Sequence, residues 1–129
     1  MGLYIEKTSH TPEIQFEDGR LTIVGRSIPE DSIGFFEPLF NELMDYLKHP
    51  ALHTEVNLML EYSNSSTNRV LVSLFELLRE AHSSGHSVTV NWYYVAEDKG
   101  MYELGTDLKD ISGLPFALIE VDEFPEYHP

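Results

Sequence analysis

Between Thr54 and Val95 the spacing of apolar residues changes period twice. In "TEVNLMLEYS" (Thr54 to Ser63), Val56, Leu58 and Leu60 alternate with other residues, the repeat of a strand with one buried face. In "TNRVLVSLFELLREAHSS", Val70, Leu71, Leu74, Phe75, Leu77, Leu78 and Ala81 recur at three- and four-residue steps, the stripe of a helix packed on a core. "HSVTVNWYYV" returns to alternation through Val88, Val90, Trp92 and Tyr94. A strand, a helix and a strand in direct succession leave few topologies, because the crossover between parallel neighbours is right-handed in nearly all proteins. This unit therefore predicts a parallel pair with a helix laid across it.

The flanking segments extend the pattern. "LYIEKT" (Leu3 to Thr8) is a short edge strand. "PEIQFEDGRLTIVGRSI" reads as a hairpin: Ile14 and Phe16 alternate, Asp18-Gly19 turns the chain, and Leu21 and Ile23 continue beyond it. "DSIGFFEPLFNELMDYLKH" is a helix with Asp31 or Ser32 at its N-cap, interrupted by Pro38, which removes a hydrogen bond wherever it falls inside a helix. "EDKGMYELGTDLKDIS" is a weaker helix because Gly100 and Gly105 lie within it, and "LPFALIEV" is a last strand. The expected fold is α/β, a mixed sheet of about five strands with an N-terminal hairpin and about three helices mainly on one face. Residues 1–121 form one domain in this reading and 122–129 an acidic tail.

Composition narrows the function classes. The 129 residues suffice for a core without cross-links, and the absence of cysteine excludes disulfides, thiolate metal sites and cysteine nucleophiles. No run approaches the apolar length of a membrane span, and the N-terminal segment lacks the basic and apolar regions of a signal peptide. A cytoplasmic location is expected, with no membrane partner. Twenty-two acids against 8 bases give a net charge of −14, which repels nucleic acid and suits a partner with a basic face.

The chemistry concentrates at the junction of the central strand and the helix after it. "YSNSST" (Tyr62 to Thr67) carries four hydroxyls besides the tyrosine's, on Ser63, Ser65, Ser66 and Thr67. The first N–H groups of a helix have no intrahelical acceptor, and with the helix dipole they favour an anion. A phosphate on a residue here would bring about two negative charges to that place. Arg69, one turn on from Ser65, is positioned to pair with it. The same residues are also what an ordinary N-cap needs, with Ser65, Ser66 or Thr67 supplying about 1 kcal/mol. A cap and a modification site are compatible, and on these residues alone both readings stand.

"GRSIPEDSIGFFEPLFNELMDYL", "LEYSNSSTNRVLVSLFELLREAHSSGHSVTVNWYY" and "LPFALIEV" resemble the SiaC family of bacterial regulatory phosphoproteins, from about Thr11 to Val121 and most specifically from Leu60 to Tyr94. That family is similar in fold to STAS domains, the class that includes anti-sigma-factor antagonists. The resemblance implies phosphorylation of one hydroxyl after the central strand by a partner Ser/Thr protein kinase, and its removal by a PP2C-type phosphatase. It also implies that the unphosphorylated form binds a diguanylate cyclase or other effector protein in cyclic-di-GMP signalling. The family's Asn-Thr-Ser-Ser reads here as Asn64-Ser65-Ser66-Thr67, which puts Ser65 at the modified position, with Ser66 and Thr67 as alternatives. Asn64, Ser66, Thr67 and Arg69 are then the expected contacts of the phosphate or the partner.

Other chemistry finds little support. His49/His53 and His82/His86 have the four-residue spacing of helical metal ligands, but Pro50 and Gly85 interrupt them, so no metal or other cofactor is expected. There is no G-x-S-x-G elbow and no phosphate-binding glycine loop. The expectation is a non-enzymatic switch. Its rivals are a partner switch of the anti-sigma-factor-antagonist type, and a small anion-binding domain or hydrolase that uses the same helix start.

Overall fold

The computed structural model describes residues 2–124. Six strands and three helices follow in the order β1 (Leu3–Ile5), β2 (Glu13–Glu17), β3 (Arg20–Ser27), α1 (Ser32–Tyr46), β4 (His53–Ser63), α2 (Ser65–Ser83), β5 (Ser87–Val95), α3 (Lys99–Ser112) and β6 (Phe116–Val121). Chain order and sheet order coincide, β1-β2-β3-β4-β5-β6. The first three strands are antiparallel, and β3 through β6 are parallel. The sheet therefore has six strands rather than about five. The expected edge strand at Leu3 to Thr8 is present as β1, only three residues long, which pairs with β2 through Leu3↔Phe16 and Ile5↔Ile14. Residues 122–124 follow β6, and the rest of the expected tail lies outside the described residues.

The hairpin turns where the sequence predicts, with Asp18 at φ 51° and Gly19 at φ 77°, the left-handed pair of a two-residue turn that suits the twist of its strands. The alternating apolar residues of β2 to β6 point to one side. There Ile14, Phe16, Leu21, Ile23, Val56, Leu58, Leu60, Val88, Val90 and Trp92 share a single core with Phe36, Leu39 and Leu43 of α1, Leu71, Leu74, Phe75 and Leu78 of α2, and Met101 and Leu108 of α3. Burying side chains of this size stabilises by about 1.5–3 kcal/mol each. The opposite face is more polar. Across it the Asn91 amide donates to the Asn57 side-chain oxygen at 3.0 Å, and Asn57 donates to Glu55 at 2.8 Å.

Helix α1 begins at Ser32 behind an Asp31 cap, so Pro38 lies inside it, in the second turn. Helix α2 ends at Ser83, and Gly85 takes φ 98°, the left-handed residue that closes a helix C-terminus. This order of elements places the starts of all three helices at the carboxyl ends of the parallel strands.

Candidate functional site

Strand β4 passes into α2 within two residues. Its last pairing with β3 is Ser27↔Ser63, and the Asn64 N–H donates to the Ser27 carbonyl at 3.0 Å. Asn64 then leaves the sheet in an extended conformation (φ −79°, ψ 169°) and caps α2, its side-chain oxygen accepting the Thr67 N–H at 2.9 Å. The cap is thus Asn64, not one of the three hydroxyl residues after it. The reason is positional: the sheet holds Asn64 extended, which is the conformation a cap requires. The Asn64 amide also donates to the Pro29 carbonyl at 3.4 Å.

With the cap assigned, each hydroxyl has a definite place. Ser66 donates to the same Asn64 oxygen at 3.1 Å, and its own oxygen lies 2.6 Å from the Ser32 hydroxyl of α1. Since the Ser66 proton is directed at Asn64, Ser32 is the donor of that second bond. Thr67 is 0 % exposed, and its hydroxyl lies 2.8 Å from the buried Ser27 hydroxyl. Ser63 donates to the Asn68 side-chain oxygen. Ser65, first residue of the helix, is exposed, and its hydroxyl has no hydrogen-bond partner among the described residues. Arg69 is exposed one turn further on and makes no ion pair among the described residues.

The backbone around Ser65 is equally open. The Asn68 N–H bonds the Asn64 carbonyl, the first intrahelical bond, and Thr67 N–H is taken by the cap. The Ser65 and Ser66 N–H groups precede both and have no acceptor within the helix. A charge added on the Ser65 oxygen would meet these two dipoles and the Arg69 guanidinium, without breaking any bond that holds the junction.

Two large side chains of the segments that meet here are uncovered: Ile33, the neighbour of Ser32, is 78 % exposed, and Tyr62, at the end of β4 and paired with Arg26 of β3, is 51 % exposed. Sequence periodicity passes over both, because it marks what is buried and neither continues a buried stripe. Exposed acids are their chain neighbours, Glu30 and Asp31 before Ile33 and Glu61 before Tyr62, while the strand partner of Tyr62 is the exposed Arg26. A hollow of about 440 Å³ lies between the ends of β4 and β5, lined by Glu61, Val95, Glu97, Asp98 and Phe124. Larger hollows sit at the hairpin and the C-terminal part of α1 and along α2, and none of these is lined by Ser65.

The histidine pairs do not converge. His53 bonds the Ser87 and Thr89 hydroxyls on β5, and His82 lies in α2 while His86 lies beyond its end. Among the described residues no three metal-ligating side chains come together, and no described helix is long and apolar enough to cross a membrane.

Fold and site together define a small α/β regulatory domain, with helices on one side of a mixed sheet and a hydroxyl-rich helix start exposed at the strand ends. The chain belongs to the SiaC family: the model of the SiaC family regulatory phosphoproteins matches residues 5–121. An uncharacterized protein of Pseudomonas aeruginosa strain UCBPP-PA14 is 32% identical over 123 residues, spanning 94% of this chain and 98% of that protein. The solved structure of SiaC of Pseudomonas aeruginosa superposes with a TM-score of 0.86 at 30% identity, covering 94% of this chain and 99% of that one. A second structure, the diguanylate cyclase SiaD in complex with its activator SiaC from the same organism, gives a TM-score of 0.87 at 30% identity, covering 92% of this chain and 99% of that one.

Proposed function

We propose that this protein is a cytoplasmic, non-enzymatic switch whose unphosphorylated form binds and regulates a diguanylate cyclase, and that reversible phosphorylation of Ser65 controls the binding. A Ser/Thr kinase would transfer the γ-phosphoryl group of ATP to the Ser65 oxygen, releasing ADP and the hydroxyl proton. A PP2C-type phosphatase would return the serine by hydrolysis, releasing inorganic phosphate.

The observation that carries this reading is the contrast between Ser65 and its neighbours. Ser63, Ser66 and Thr67 spend their hydroxyls on Asn68, Asn64 and Ser27, whereas Ser65 is exposed and unengaged. A kinase that took Thr67 would have to open the helix start to reach a side chain 0 % exposed. Modifying Ser66 would break its bonds to Asn64 and Ser32. Modifying Ser65 disturbs neither. The cyclase as partner is supported by the match to SiaC, which is solved in complex with SiaD as its activator. A ligand-binding or hydrolytic domain needs a recess at the reactive hydroxyl, and Ser65 stands instead on an exposed helix start.

Incubation with the kinase and ATP, followed by phosphosite mapping, tests the assignment. Phosphate on Ser65, and none on the Ser65→Ala protein, is the expected result. Phosphate confined to residues remote from 64–67 would refute it.

A further inference from the structure

Most of the exposed large apolar side chains are scattered: Leu52 lies in the loop before β4, and Tyr102 and Ile111 of α3 are about 180° apart around their helix. Helix α1 differs. Ile33 (78 % exposed), the half-buried Phe40 and Met44 (48 % exposed) fall within about 40° of one another around its axis, on one flank of the core-facing stripe. Leu47, just past the helix, continues that flank and there meets α2. With Pro50, Leu77 and Ala81 it lines a hollow of about 250 Å³ between the ends of the two helices. At their starts Ser32 bonds Ser66 at 2.6 Å. Both helices follow parallel strands in the same sense, so a groove runs between them from Ser66 to the hollow. On its α2 side Ser66, Ser73, Leu77 and Glu80 fall within about 60° of one another.

Acids border this groove on both banks. Glu37 stands beside Ile33 and Phe40 on α1, and Glu76 and Glu80 stand on α2, all three exposed. Lys48, the base at the hollow, is held by Asp45 at 3.6 Å. Ser65 and Arg69 stand on the α2 bank at the opposite end. An apolar floor between acidic banks matches a segment whose apolar stripe is edged by Lys or Arg. An extended segment would find no free backbone groups to pair with, because those of α1 and α2 are spent within the helices. A third helix instead packs its ridges into the groove that two neighbouring helices leave. From Ile33 to Leu47 the α1 bank is about 21 Å long, which spans about four turns of such a helix.

We infer that the groove between α1 and α2 is the docking surface for a basic amphipathic helix of the effector, with Ile33, Phe40 and Met44 as its apolar contacts on one side and Leu77 on the other. This rests on the effector-binding function proposed above and names the surface and the chemistry of the segment it takes. The groove passes Ser65, which sets the hydroxyl proposed for modification at the border of this interface.

Calorimetry of the full-length unphosphorylated protein with the diguanylate cyclase of the same organism, at low and high salt, tests this. Met44→Lys places a cation in the apolar floor, and Ser73→Arg adds both bulk and a cation. Each is expected to weaken binding at least about tenfold, the size of a central contact. Met44 is exposed in the last turn of α1, where a cation suits the helix dipole, and Ser73 is exposed and gives way to a good helix former, so folding is retained. The double variant Glu37→Gln/Glu80→Gln should bind more weakly at low salt and lose much of the fall in affinity that the wild type shows as salt rises. Ile111→Lys, on the exposed side of α3, should bind as the wild type does. Wild-type affinity in both groove variants would overturn the inference, as would wild-type binding that ignores salt. A wild-type dimer in sedimentation that Met44→Lys turns into a monomer would seat a second copy in the groove and overturn it too. A wild type that does not bind the cyclase at all removes the effector-binding function and this inference together, an outcome distinct from loss of the inference alone.

Discussion

The Ser32 and Ser66 hydroxyls lie 2.6 Å apart, tying the first turn of α1 to the first turn of α2. Ser32 is 4 % exposed, so this bond is shielded from water. Ser66 donates its own hydrogen bond to the cap residue Asn64, and the cap also accepts the Thr67 N–H. The start of α2 is thus fixed from two directions, while Ser65 stays outside the network.

Ser32→Ala and Ser66→Ala should therefore each lower stability by about 0.5–1.5 kcal/mol, the usual net value of a hydrogen bond. The two losses should not add. Once one hydroxyl is gone the other has lost its partner, and a double-mutant cycle in urea should show coupling of about 0.5 kcal/mol or more. Simple additivity would mean that the bond contributes nothing in solution. Phosphorylation of Ser66→Ala should still map to Ser65.

Asn64→Ala removes the acceptor of both the Thr67 N–H and the Ser66 hydroxyl. A lost cap costs about 1 kcal/mol, and the stranded Ser66 proton adds to it. Asn64→Asp keeps an acceptor at the same place and puts a negative charge at a helix N-terminus, so it should cost less than alanine. Thermal unfolding of the two variants gives the comparison. Equal losses would show that α2 does not depend on this cap.

The same residue shows how far the sequence alone reaches. Asn64, Ser65, Ser66 and Thr67 are all competent caps, and only the end of β4 decides among them. That end is set by a tertiary bond, Asn64 N–H to the Ser27 carbonyl, between residues 37 apart in the chain and invisible to local pattern. The periods of two and 3.6 reveal the strands and helices because burial on one face imposes them directly, and Val56, Leu58, Val90 and Leu74 are buried as their spacing requires. Strand β1 falls inside the short run Leu3 to Thr8 that reads as an edge strand, but its end at Ile5 is set by pairing with β2 rather than by the pattern. Ile33 and Tyr62 escape such a reading for the opposite reason: they face outward, where no repeat constrains them.

Tyr94 supplies a test in alkali. Burial raises its phenol above the ordinary 10.0, and the Glu120 carboxylate and the Tyr102 phenol add to the rise. Its ring meets that of Tyr102 edge to face at 5.0 Å. The unfolded chain releases this proton near its ordinary value while the folded chain holds it longer. The corresponding stability is complete below about pH 10 and is lost as pH climbs through the folded value. Urea midpoints of the wild type should fall more steeply above about pH 10 than those of Tyr94→Phe. Parallel curves would show that the phenol senses no fold.

Two glycines of α3 should respond to alanine in opposite directions. By helix propensity alone, each replacement gains about 1 kcal/mol. Gly105 faces the core, where a Cβ would overlap Trp92 Cδ1 and Nε1 and Leu118 Cδ2. Trp92 is pinned there, 1 % exposed and donating its indole N–H to the Met101 carbonyl of the same helix at 3.0 Å. Neither the ring nor the helix can yield without breaking that bond. Overpacking should outweigh propensity, and Gly105→Ala should destabilise by about 1–3 kcal/mol, with a shift in Trp92 fluorescence. Gly100 is exposed, and the nearest atom to a Cβ there is Asp98 Oδ1 at 3.6 Å, an ordinary contact. Gly100→Ala should stabilise by about 0.5–1 kcal/mol, largely by restricting the unfolded chain. Urea denaturation followed through Trp92 measures both. If the two changes share a sign, close packing of α3 on Trp92 is not what keeps residue 105 a glycine.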